Sequence, residues 1–220
     1  LHANDIVRPA ALPATAEGEE ALPPPAQPRP ILELVREGQD IVVQVVKDPI
    51  GSKGARLTTQ LSIPSRYLVL LPQSRVVGVS SRIEDEVERA RLKGLVSELA
   101  APAGNPGYIV RTNAEGQPAE ALAEDVAYLS RAWALVEQRV RDSRVGTCVY
   151  EDLSLPMRAV RDLMRRDVEK VKVDSRETCD RLRTFAAQYM PGLAEKIEHY
   201  GGARPIFDLY GVEDEIQRAL

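Results

Sequence analysis

Cysteine and histidine are scarce: the 220 residues hold two of each. Cys148 and Cys179 lie far apart and neither belongs to a Cys-x-x-Cys pair. That excludes a disulfide framework and any zinc pattern, and two buried thiols in a reducing cytoplasm are expected. His2 and His199 stand alone, without partners at ligand spacing. No segment approaches the ~20 apolar residues of a membrane span. The first residues lack both a basic n-region and an apolar h-region, so no secretory leader is expected. The chain opens on Leu1 and not Met, which fits an internal stretch of a longer protein. An excess of positive charge is missing too: the net charge is −4. A protein that grips nucleic acid along its whole surface is usually basic, so any such contact here must be a local patch. Gly201-Gly202 has no Gly-x-Gly or Gly-Lys-Ser/Thr context and makes no phosphate loop. No Ser-His-Asp grouping stands out.

What is present is an ordinary globular composition, 44% hydrophobic and 28% charged, with length enough for one to three small domains. Residues 9–30 are rich in proline, with Pro23-Pro24-Pro25 at the centre, and predict a flexible surface loop. Ile31 to Glu37 has helical spacing and stops at Gly38. Asp40 to Lys47 is dominated by β-branched residues and predicts a strand. Asp48-Pro49-Ile50-Gly51 turns the chain, and Arg56 to Ile63 returns as a second strand. This order of elements is what the second half of an OB-type barrel is expected to look like. So few strands cannot close one, so the others precede Leu1 or are borrowed from another chain.

Short strands are expected at Tyr67–Leu71, Val76–Val79 and Tyr108–Thr112. An amphipathic helix is expected over 82–99 on Ile83, Val87, Leu92, Leu95, Val96 and Leu99. Pro118 can open a long helix, Ala119 to Arg139, with Leu122, Val126, Leu129, Trp133 and Val136 along one face. Then strand 147–152, helix 155–166, strand 168–173, helix 175–190 and strand 195–200 alternate, which argues a small α/β sheet. Asp174 or Ser175 caps the fourth of these. Residues 206–209 suggest another short strand, and 211–220 the start of a helix. The fold class is mixed α+β: a partial OB-type barrel, an α/β domain, and part of a second α/β unit.

Arg111-Thr112 closes a strand and exposes a planar guanidinium beside a hydroxyl, a pair that suits a terminal phosphate. By residue chemistry alone a surface ion pair and a turn cap are the simpler account, since Arg-Thr is a common dipeptide. Ser65 and Val69 lie on a turn and the strand after it, and by residue type alone read as a turn residue and a core residue. Lys47, Lys53 and Arg56 occupy two neighbouring strands and their turn, as phosphate-backbone contacts or as a solvated hairpin. Arg82 belongs with Arg75, Arg89, Arg91 and Lys93, interspersed with Glu84, Asp85, Glu86 and Glu88; a salt-bridged exposed helix accounts for these better than a basic flank does. Of Asp162, Asp167, Asp174 and Asp180, two follow helix- or strand-end logic, and no metal site is expected of the group.

The runs Lys53-Gly54-Ala55-Arg56-Leu57-Thr58-Thr59, Pro64-Ser65-Arg66-Tyr67-Leu68-Val69, Ser81-Arg82-Ile83-Glu84 and Tyr108-Ile109-Val110-Arg111-Thr112 resemble the ribonuclease E/G family, its G branch in particular. The resemblance runs from Leu1-His2-Ala3-Asn4-Asp5-Ile6 to Glu215-Ile216-Gln217-Arg218-Ala219-Leu220; only the proline-rich loop is unlike. It implies the tail of an S1 RNA-binding domain at 1–59, a 5′-sensor domain at 60–145 and part of an RNase H-like subdomain at 146–220. By the same resemblance Arg111, Thr112, Ser65 and Val69 bind a 5′-monophosphate, and Lys47, Lys53, Arg56 and Arg82 contact RNA. Ser65 stands where the E branch has Gly, and Ile50 replaces an Arg of that branch. The parent implied is a cytoplasmic endoribonuclease that cleaves single-stranded RNA in rRNA maturation and mRNA turnover. It would use Mg2+, carry Zn2+ at a link between protomers, and form a homodimer or higher homo-oligomer away from membranes. This stretch would hold no catalytic residue and bind neither metal. A non-catalytic RNA-binding or oligomerisation module is the alternative.

Overall fold

The computed structural model describes residues 5–6, 30–164 and 167–220. The proline-rich stretch lies outside these apart from Pro30, as does His2. The chain divides into two compact units. One takes in the described residues up to Leu129 together with Leu135–Val149; the other comprises Ser130–Ala134 and Tyr150–Leu220. The class is mixed α+β, with three separate sheets and no closed barrel among the described residues.

In the first unit, strands β1 (Gln44–Lys47) and β2 (Arg56–Thr58) form an antiparallel hairpin. The expected strand from Asp40 starts only at Gln44, because β2 offers no partner before that register. Gln44 is held by its side chain instead: it accepts from the Ser62 amide at 2.9 Å and donates to the Ser62 carbonyl at 3.2 Å. The expected helix at Ile31–Glu37 is reduced to a 3-10 turn, Ile31–Glu33.

The second sheet has the order β3-β4-β6-β5, with β3 at Ile63–Pro64, β4 at Leu68–Leu71, β5 at Val77–Val79 and β6 at Gly107–Val110. β3, β4 and β6 are antiparallel neighbours, while β5 runs parallel to β6. A parallel pair needs a crossover, supplied here by helix α1 (Glu86–Ala100). It starts four residues later than the apolar spacing suggests, since the Asp85 carboxylate accepts from the Val87 amide at 2.9 Å and fixes the N-cap there. Leu92, Val96 and Ala100 are then buried at four-residue spacing, and Val87 is left exposed. Gly107 has a specific reason to lack a side chain: a Cβ there would lie 2.6 Å from the Ser74 Cβ and 3.0 Å from the Val76 carbonyl oxygen. Leu68, Leu70, Tyr108 and Val110 are sealed in this core. Helix α2 (Ala119–Asp142) adds Leu122, Val126 and Leu129 to it and contributes residues to both units.

In the second unit, β7 (Val171–Val173) and β8 (Ile197–His199) pair in parallel around helix α4 (Arg176–Tyr189). Ser175 is the N-cap of α4, accepting from the Thr178 amide at 3.2 Å. Cys179, Leu182, Phe185 and Ala186 on α4 are buried, as are Val160 on helix α3 (Leu155–Leu163) and Ile197. Three expectations are corrected here. Residues 147–152 form no strand. Ile206–Leu209 is a short helix, α5, and not a strand, because Pro205 at its N-cap and the bond from the Leu209 amide to the Pro205 carbonyl wind the chain. Cys148 is exposed, and only Cys179 is a buried thiol. Helix α6 (Val212–Ala219) follows α5. Among the described residues no helix is long and apolar enough to cross a membrane.

Candidate functional site

The site grows out of the turn between β3 and β4. Ile63 pairs with Leu70 and Pro64 with Val69, so Arg66 and Tyr67 form a two-residue loop between Ser65 and Leu68. Such loops favour turns with positive φ at a central residue. Neither Arg66 nor Tyr67 has positive φ, so the turn opens. One closing bond is made, from the Ser65 amide to the Leu68 carbonyl at 2.8 Å. The reciprocal groups go elsewhere. The Leu68 amide donates to Asp125 Oδ2 at 3.0 Å, the Tyr67 amide to the same oxygen at 2.7 Å, and the Ser65 hydroxyl to it at 2.5 Å. The Ser65 carbonyl, freed from Leu68, accepts from Arg111 Nη1 at 2.6 Å.

Arg111 is placed by β6. Its amide donates to the Tyr67 carbonyl at 2.8 Å, which extends the β4–β6 ladder one residue beyond Val110. Thr112 then begins a 3-10 turn, Thr112–Ala114, with Ala114 buried beneath it. Arg111 and Thr112 are both half-buried. The Arg111 guanidinium has its one protein hydrogen bond at the Ser65 carbonyl, and among the described residues no carboxylate pairs with it. Arg66, on the same turn, lies over the Tyr67 ring at 4.7 Å from its centroid and likewise has no carboxylate partner among the described residues. A guanidinium removed partly from water and left without a counter-charge holds donors and field for an anion.

The far side of the 111–117 segment is braced by α1. Arg91 binds Glu88 through two parallel bonds of 2.6 Å, and the Gly116 amide donates to Glu88 Oε1 at 2.9 Å. Arg91 also donates to the Gln117 carbonyl at 3.1 Å, and the Tyr67 hydroxyl to Gln117 Oε1 at 3.2 Å. The Arg91 fork and then the Gly116 amide hold the Glu88 carboxyl down at about 2, from an ordinary 4.5. Glu88 in turn raises Arg91 above its usual range.

The structure brings Ser65 and Arg111 into direct contact, with Thr112 next in the chain. Ser65 is fully buried, so its carbonyl orients Arg111 while its hydroxyl faces Asp125. Val69 lies inside the sheet, between Pro64 of β3 and Ile109 of β6. Lys47 and Arg56 face each other across the β1–β2 hairpin, and Lys53 bridges to Ile50 at its tip. Lys47 and Lys53 are exposed, and Arg56 lies 3.7 Å from Asp5. Arg82 is exposed before α1. Its neighbours Arg89 and Arg91 are engaged within the protein, Arg89 with the Ser80 and Ile83 carbonyls.

Asp125 escaped the sequence reading. A signal was available: it stands three residues after Leu122 and four before Leu129, an acid on the face that those residues bury. Among the described residues no group of three or more His, Cys, Asp or Glu could hold a metal ion. The second unit has a largely apolar cleft of about 840 Å³ lined by Val160, Leu163, Val171, Leu182, Ile206 and Phe207 among others, with Lys172, Ser175 and Thr178 at its polar side.

The fold is a mixed α+β domain whose four-stranded sheet carries, at the β3–β4 turn, two guanidinium groups without carboxylate partners among the described residues. The family model described as "Ribonuclease E/G family" matches residues 62–220. The chain is 52% identical over 192 residues to "Ribonuclease G" of Salmonella typhimurium (strain SL1344), covering 87% of this chain and 39% of that relative. It is 47% identical over 220 residues to "Ribonuclease G" of Escherichia coli (strain K12), covering 100% of this chain and 44% of the relative. "Ribonuclease E" of Nostoc sp. (strain PCC 7120 / SAG 25.82 / UTEX 2576) is 36% identical over 193 residues, 86% of this chain and 28% of its own. The chain belongs to the ribonuclease E/G family, and it spans less than half the length of these relatives.

Proposed function

We propose that this chain is the RNA-recognition and 5′-monophosphate-sensing portion of a G-type endoribonuclease. The observation that carries the reading is the half-buried Arg111 guanidinium, oriented by the Ser65 carbonyl and without a carboxylate partner among the described residues. A terminal phosphate monoester carries between one and two negative charges near neutral pH, about half a unit to one more than an internal phosphodiester. Arg111 and the Thr112 hydroxyl receive it, and Arg66 adds a second cation at the same turn. Held at its end, the strand runs toward a catalytic site outside this chain. The attack on the phosphodiester belongs to that site, where the parent's magnesium ion would serve; this stretch recognises and does not cut.

The β1–β2 hairpin belongs, in this reading, to an S1-type domain at 1–59. Lys47, Lys53 and Arg56 there contact the strand without regard to its end. Residues 60–145 are the 5′ sensor and 146–220 part of an RNase H-like subdomain. The test is binding of short RNA oligonucleotides that differ only at the 5′ end. Tighter binding of the 5′-monophosphate form, lost in Arg111→Ala, supports the reading. Equal affinity for the 5′-hydroxyl and 5′-monophosphate forms sinks it and leaves the alternative of an RNA-binding module blind to strand ends.

A further inference from the structure

We propose that Asp125 is a positioning residue for 5′-end recognition: by taking the amides of Tyr67 and Leu68 it keeps the β3–β4 turn open, so that the Ser65 carbonyl is free to aim Arg111. This inference rests on the 5′-phosphate reading above. The Ser65 carbonyl has two competing partners. In an ordinarily closed two-residue hairpin the Leu68 amide would return to it, completing the pair of bonds begun by the Ser65 amide. Here the Leu68 amide lies 3.0 Å from Asp125 Oδ2, and the carbonyl goes to Arg111 at 2.6 Å. The geometry therefore couples a carboxylate on α2 to a guanidinium at the end of β6, with Ser65 as the link.

The arrangement is costly enough to need a reason. Asp125 is 8% exposed, and a buried carboxylate is tolerated only when donors surround it. Three donors converge on its Oδ2, two of them main-chain amides. An ordinary closing pair of bonds would not have required a charge. What the carboxylate adds is a turn conformation with a main-chain acceptor facing outward, which a hairpin closed on itself lacks. Arg111, extended at its backbone and flanked by a 3-10 turn, has that carbonyl as its fixed reference.

The experiment compares Kd for a short 5′-monophosphorylated RNA with Kd for its 5′-hydroxyl twin, in the full-length protein. Wild type, Asp125→Asn, Ser65→Ala, Arg111→Ala and Val126→Ala are measured, each with a thermal melt. Asp125→Asn is expected to lower the preference for the monophosphate about tenfold, equivalent to ~1.4 kcal/mol, with affinity for the hydroxyl form unchanged. Ser65→Ala, which keeps the main chain, is expected to move the preference the same way by a smaller factor, and it decides the matter if Asp125→Asn fails to fold. Val126→Ala, which weakens the same helix without touching the turn, is expected to keep the full preference. If Arg111→Ala loses the preference while Asp125→Asn and Ser65→Ala keep it within about twofold, the positioning role is wrong and the 5′-phosphate reading stands. If Asp125→Asn binds the monophosphate more tightly, charge repulsion outweighs orientation and the proposal is overturned. An Arg111→Ala protein that behaves like wild type overturns both.

Discussion

At the scale of single residues, the molecule separates cations that are used up from cations that are free. Arg89 and Arg91 are tied into carbonyls and carboxylates of their own unit. Arg111 is tied to one carbonyl and nothing of opposite charge among the described residues. Removing it should therefore weaken binding of 5′-monophosphorylated RNA by ~1.5–3 kcal/mol, the range for a hydrogen bond to a charged group, with little change in melting temperature; titration calorimetry and a melt check both halves. Glu88 gives a pH prediction. Its carboxyl is depressed in the folded state, from 4.5 to about 2. The stability it contributes is therefore fully present above pH 4.5 and is lost as the pH falls toward 2. Glu88→Gln should flatten this part of the curve of melting temperature against pH, and the Gly116 amide resonance should follow the same titration in the wild type alone.

At the scale of elements, apolar periodicity identified most helices and strands but not where they stop. α1 begins at Asp85 because a carboxylate caps it, and β1 begins at Gln44 because a partner strand does. Neither cause is visible in periodicity. The segment at 206–209 reads as a strand by composition and becomes a helix because Pro205 sets the angle that starts one. Arg111 and Thr112 were legible as a strand end with donors, whereas Asp125 was legible only as an acid on an apolar helix face, with nothing in that pattern to name the turn it holds. The close approach at Gly107 was equally hidden, since it depends on Ser74 and Val76 lying across the sheet. Gly107→Ala should destabilise the first unit by ~1–3 kcal/mol, as overpacking does, measured as a shift in the denaturant midpoint. Conversion of Ser74 to Gly in the same protein should recover part of the loss.

At the scale of the whole molecule, the net charge of −4 sets a background against RNA. On the proposed reading, binding comes from local groups of cations, those of the β1–β2 hairpin and of the 65–68 turn. They should answer differently to salt. Lys47→Ala and Lys53→Ala should each reduce the slope of log affinity against log salt by about 0.7, the value for one phosphate of a single strand, and leave the 5′-end preference intact. A pair of variants that abolishes the preference as well would place the end-sensing cation on the hairpin instead.

The turn at 65–68 also has a kinetic consequence. Its Ser65, Tyr67 and Leu68 amides, its hydroxyl and its outward carbonyl are engaged by the protein before any strand arrives. A receptor assembled in advance loses little freedom on capture, so association should be set by diffusion and steering alone. Rapid mixing with a 5′-monophosphorylated oligonucleotide should then show one phase whose rate climbs linearly with RNA concentration, with no slow step of reorganisation behind it.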